Sequence, residues 1–115
     1  MSQYLLAVQH QPGVHAAGGA YEDEAAMQAA FERVGAFNES LAEAGRLVFA
    51  GGLEAPETAI VLEQDAERPG PLNVSGWQLG GFWVVEAEDD AVALEIARAA
   101  AEACGQTLEL RRFQG

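Results

Sequence analysis

The sequence contains no lysine. Its six cations are all arginines, set against eighteen acids, for a formal net charge of −12. A nucleic-acid partner needs a basic surface to neutralise phosphates, so a polyanion partner is excluded on charge. The acidity suits either a solvated surface that aids solubility or a basic partner. A single cysteine, Cys104, rules out an internal disulfide, and with only two histidines, His10 and His15, it makes no recognisable metal-ligand set. No metal and no cofactor are expected. No apolar run approaches the ~18 residues of a membrane span. The opening "MSQYLLAVQHQPG" has neither the basic segment nor the cleavage site of a signal peptide. The expectation is a soluble cytoplasmic protein with no membrane partner. Phosphate-loop and nucleophile-elbow motifs are absent as well.

What remains is a 115-residue chain, half of it hydrophobic, without biased tracts. That length suits one domain over residues 1–115, able to bury roughly two-thirds of its unfolded surface. "QYLLAVQ", residues 3–9, is a short apolar run stopped by Pro12-Gly13 and predicts a strand. Tyr4, Leu6 and Val8 take one face and Leu5 and Ala7 the other, so both faces call for cover. From Glu22 to Ala44 the period becomes helical. Met27, Ala30, Phe31, Val34, Phe37, Leu41 and Ala44 form one apolar stripe, and Gly45 suits the left-handed position beyond its end.

Strands are then predicted at "RLVFAGG" (46–52), "TAIVLEQ" (58–64), weakly at 72–75, and at "GGFWVVEA" (80–87). "DAERPGP" reads as a polar turn, because Pro69 and Pro71 cannot donate to a ladder. Asp89 or Asp90 caps a second helix, whose stripe carries Val92, Ile96, Ala100 and Ala103, and Gly105 ends it. "TLELRRF" (107–113) is the last strand. This is an α+β order: ferredoxin-like βαββαβ with an inserted β-hairpin, its antiparallel sheet covered by two helices on one face. The other face is also apolar, and a second copy of the chain is the economical cover.

Three segments resemble the YCII-related, or DGPF, family. "AGRLVFAGGLEAPETA" is similar to a conserved-type segment of that family ending L-x-P-x-x-T-A. "PGPLNVSGWQLGGFWVVEAEDDAVALEIA" resembles its DGPF motif, which runs on into LGGFY, an acid and a helix, and "LELRRF" looks like its terminus. The resemblance implies a dimeric ferredoxin-like α/β barrel and a homodimer. It implies little about activity. Small oxygenases and lactone isomerases share the barrel type, but fold-level analogy does not carry their chemistry. The departures are informative. Pro69 stands at the aspartate of the motif, Leu72 replaces its aromatic, and Val74, Gly76 and Trp77 replace usual charged residues. A His–Asp pair associated with the YCII branch lies along the first helix; the matching positions here are Val34 and Glu43, so no dyad carries over.

Candidate chemistry is therefore sparse. His10, at the end of the first strand, is a candidate acid–base group facing a dimer cleft, or simply a strand-end histidine. His15 lies in the following loop and is weaker. Glu109 and Arg111 share a face of the last strand, which suits either a small-anion patch or an ion pair or dimer contact. Glu86 is either a cleft acid or a solvent-side residue. Trp83 is expected in the core and Trp77 in a loop that closes a pocket or seals the dimer; both are ligand-pocket candidates, with His10 and Arg111. Two functions fit: a small homodimeric binding or regulatory module with a possible small-molecule ligand, or an enzyme acting on a small organic molecule through His10, Glu86 or Glu109.

Overall fold

The computed structural model describes residues 1–14 and 21–115. His15 lies outside the described residues. Strand β1 (Ser2–His10) is followed by helix α1 (Glu24–Glu43), β2 (Leu47–Gly52), a short 3-10 turn (Pro56–Thr58), β3 (Ile60–Glu63), β4 (Ala66–Pro69), β5 (Gln78–Ala87), α2 (Asp90–Cys104) and β6 (Thr107–Arg112). Four strands form one antiparallel sheet in the order β2-β5-β1-β6. That order, with both helices on one face, is the ferredoxin-like arrangement expected. Among the described residues no helix is long and apolar enough to cross a membrane.

The helix ends follow local chemistry. Asp23 accepts from the backbone N–H of Ala26 at 2.7 Å, and Asp89 from that of Val92 at 2.9 Å. Gly105 closes α2 with φ +68°, a conformation that disfavours side chains with a Cβ.

Even-numbered β1 residues Tyr4 and Leu6 face the helices with Trp83, Val85 and Ala87 of β5. Against them lie Leu41 of α1 and Ala93, Ala97 and Ala100 of α2. The small alanines let α2 approach the sheet closely. Phe37 meets Trp83 edge-on, with ring centroids 5.6 Å apart. Tyr4 donates its hydroxyl to Asp90 at 2.6 Å, tying β1 to the start of α2.

Three expectations need correction. Within "DAERPGP", read as a turn, residues 66–69 are a strand and only Asp65 belongs to a tight turn. Strands β3 and β4 pair from Ile60↔Pro69 to Glu63↔Ala66 across the two-residue loop Gln64-Asp65. Gln64 takes φ +49°, as tight hairpin loops require. Pro69 is tolerated because β4 is an edge strand and Pro69 is its last residue. Residues 72–75 form no strand. Asn73 organises them as a turn: its Oδ1 accepts from the N–H of Gly76, its Nδ2 donates to the carbonyl of Trp77, and its carbonyl accepts from Gln78 Nε2. The third is Phe31, which lies on the apolar stripe of α1 but is 56% exposed instead of packed. Its cause lies in the sheet opposite.

Candidate functional site

Two glycine pairs, Gly51-Gly52 on β2 and Gly80-Gly81 on β5, lie side by side, because the register pairs Gly52 with Gly81 and Gly51 with Phe82. The backbones are close: a Cβ at Gly81 would come within 2.9 Å of the Gly51 carbonyl oxygen. At Gly80 the register of β5 against β1 slips, Val8 facing Gly81 and Gln9 facing Leu79, so Gly80 is the extra residue of a bulge. These four glycines offer no side chains to the N-terminal half of α1. Met27, Phe31 and Val34 therefore overhang a cleft of about 480 Å³ instead of a packed interface.

His10 is part of that cleft. It continues the even-numbered parity of Tyr4, Leu6 and Val8, and so faces the helices, not the open side of the sheet where a dimer cleft was expected. Its ring occupies the space that a Gly80 side chain would need: a Cβ there would collide with His10 Cδ2 and Nε2. Nδ1 is closed off from solvent. Trp83 lines the same cleft and donates from Nε1 to Asn38 Oδ1 at 2.7 Å. Tyr21 and Cys104 sit at another margin, the Tyr21 hydroxyl donating to the Cys104 carbonyl at 2.7 Å. Burial holds the Cys104 thiol above its ordinary range, so it stays protonated and is a poor nucleophile. Burial, and then the neighbouring Cys104, raise the Tyr21 phenol. Among the described residues no acid and no arginine lines the cleft.

The remaining candidates lie elsewhere. Glu86 is opposite Gln3, Glu109 opposite Ala7, and Arg111 opposite Leu5, all on the sheet face away from the helices. Among the described residues Glu109 and Arg111 form no ion pair. The sheet thus separates His10 from both candidate carboxylates. Trp77, 48% exposed, borders a second hollow of about 410 Å³ at the base of the β3–β4 hairpin, with Leu53, Pro56, Pro71, Leu72 and Leu79. Of the four pocket candidates, only His10 and Trp83 share a site. Among the described residues no cluster of three His, Cys, Asp or Glu side chains is placed to hold a metal ion.

Sequence reasoning missed Asn38. Its signal was positional: Asn38 falls four residues after Val34 and three before Leu41, a polar residue on an otherwise apolar helical stripe.

Two comparisons bear on the chain. The family model of the YCII-related domain matches residues 2–112. No curated protein matches.

Proposed function

The chain belongs to the YCII-related family, and from that premise we propose that it is a binding module for a small, uncharged, mostly apolar molecule, held in the cleft between α1 and the sheet. The observation that carries this reading is the lining: apolar and aromatic walls, a glycine floor, a few polar groups and, among the described residues, no acid and no arginine. A volume of about 480 Å³ falls in the range of small-molecule sites. His10 gives the competing reading, acid–base catalysis, one group within the cleft. Binding is favoured because Glu86 and Glu109, the carboxylates that would assist it, are on the opposite face.

The module is proposed to work as a cytoplasmic homodimer. The open sheet face has Leu5, Ala7, Phe82 and Val84 at its centre, Phe49 beside them, and Gln3, Glu86, Glu109 and Arg111 around them. An apolar centre with a polar rim is the anatomy of a protein interface. Strand spacing and rise give this face about 400 Å², half of the ~800 Å² per partner of a stable complex. The hairpin supports the rest of the area: among the described residues its strands pair only with each other, and Ile60 and Leu62 are 64% and 71% exposed.

The test of the binding reading is NMR titration of the isotope-labelled protein with isopropenylnaphthalene, an uncharged apolar probe. Saturable shifts confined to Val8, His10, Phe31, Ala50 and Trp83 are expected. Shifts confined to Trp77, Leu72 and Leu79 would reject the cleft as the site.

A further inference from the structure

Asn38 gives the cleft a direction. An indole N–H can only donate, so the 2.7 Å contact to Trp83 Nε1 requires Asn38 to present its Oδ1 there. The amide cannot flip without setting two donors against each other. Its Nδ2 is thereby committed to another direction, and among the described residues no acceptor takes it. Asn38 lies on the wall of the cleft. The side chain is half-buried, so a ligand that covers it must either satisfy Nδ2 or strand it, and a stranded buried donor is costly.

We propose that Asn38 is the specificity-determining residue of this cleft, donating from Nδ2 to the carbonyl-type oxygen of an otherwise apolar ligand, with Trp83 as the residue that positions it. The proposal rests on the cleft being the binding site and adds the chemical class of what it takes. A carboxylate would also accept from Nδ2, but among the described residues no arginine lines the cleft, and a protein of net charge −12 repels anions. A hydroxyl that must donate finds no complement at Nδ2. A neutral ketone, aldehyde, ester or lactone fits both the donor and the apolar walls. This selects strongly, because a site built to hydrogen-bond one group rejects the analogue that lacks it.

Methyl naphthyl ketone and its isopropenyl analogue, in which a CH2 group replaces the carbonyl oxygen, separate this inference from the reading beneath it. Titrated by NMR against the wild type, the ketone is expected to bind about 10-fold tighter, the worth of one well-made neutral hydrogen bond. Asn38→Asp keeps an oxygen for Trp83 Nε1 but turns a second oxygen toward the carbonyl, so the ketone's advantage should vanish or reverse. Asn38→Leu, the second variant, removes the donor without adding charge and should leave the analogue's affinity in place while abolishing the preference. Trp83→Phe frees the amide to rotate and should shrink the preference without removing it. Equal affinity of the two probes for the wild type, or an undiminished ketone preference in both Asn38 variants, overturns the assignment of Asn38 while the cleft remains a binding site. Failure of both probes to bind the wild type overturns both.

Discussion

Placing an alanine at Gly80 tests whether the imidazole of His10 and the missing side chain of Gly80 occupy one space. Gly80 does not use a left-handed φ, so alanine suits its backbone. Gly→Ala at a compatible position stabilises by about 0.4–1 kcal/mol, chiefly by restricting the unfolded chain. Here the new Cβ would meet the His10 ring at Cδ2 and Nε2. The contacted atoms are the far end of a side chain with two torsions, so the ring swings out before the sheet shifts. Overpacking of this kind costs ~1–3 kcal/mol. The net expectation for Gly80→Ala is a loss of about 1–2 kcal/mol, with the melting temperature down by roughly 4–8 °C for a domain of this size.

The sign should reverse once the ring is gone. In a His10→Ala background Gly80→Ala meets no imidazole, and only the unfolded-state term remains. That variant should then gain about 0.4–1 kcal/mol over His10→Ala alone. The double-mutant cycle, measured by urea denaturation of all four proteins, should give a coupling of ~1–3 kcal/mol. Equal cost of Gly80→Ala in both backgrounds would show that His10 does not fill the Gly80 site, and the geometry drawn for the cleft wall would be wrong.

The two tryptophans should part company. Trp83→Ala removes a ring 5% exposed and packed on Phe37, and should cost about 3–5 kcal/mol in chemical denaturation; Trp77→Ala, outside the regular strand and half exposed, should cost under about 1 kcal/mol. The Tyr4 phenol is held above its ordinary value of 10.0, first by donating to Asp90 and then by burial. A raised folded-state value means stability is intact below pH 10 and lost as pH climbs through the folded-state titration, so alkaline melts should fall more steeply for the wild type than for Tyr4→Phe. Parallel falls in the two proteins would count against the Tyr4–Asp90 link. For assembly, sedimentation should show a dimer that Phe82→Glu converts to a monomer and Leu62→Glu weakens; a wild-type monomer at micromolar concentration would remove the homodimer.

The parts of the fold legible in the sequence are those decided within a few residues of chain. Asp89, Gly45 and Gly105 mark helix ends by chemistry that acts over one turn, and all three sit where the sequence puts them; the first helix begins two residues later than its period suggests, with Asp23 as its cap. The hairpin was harder. Gln64-Asp65 lacks the Asn-Gly signature of a tight loop, and Pro69 reads as a breaker until β4 is known to be an edge. The cleft was not legible as a cleft. Its floor needs two glycine pairs about thirty residues apart to meet across β2 and β5, and only the sheet register sets that. Phe31 illustrates the consequence: helical period says which face a residue takes, but not whether anything packs against that face.

Two of the polar residues lining the cleft, His10 and Asn38, were legible in a narrower sense. Parity along β1 puts His10 with Tyr4, Leu6 and Val8, since the bulge is carried by β5 and leaves the alternation of β1 unbroken. Period along α1 puts Asn38 with Val34 and Leu41. In each case a polar residue occupies a position the local pattern reserves for an apolar one. A fold tolerates that only if the group is satisfied or the position is not packed. Here Trp83 takes one end of the Asn38 amide, and the glycine corner leaves room beside His10. Breaks in a binary pattern concentrate where function makes demands that packing alone would not. The two such breaks on elements facing the glycine corner both open onto one cleft, whereas Glu86, Glu109 and Arg111, which break no pattern, lie along the polar rim of the opposite face.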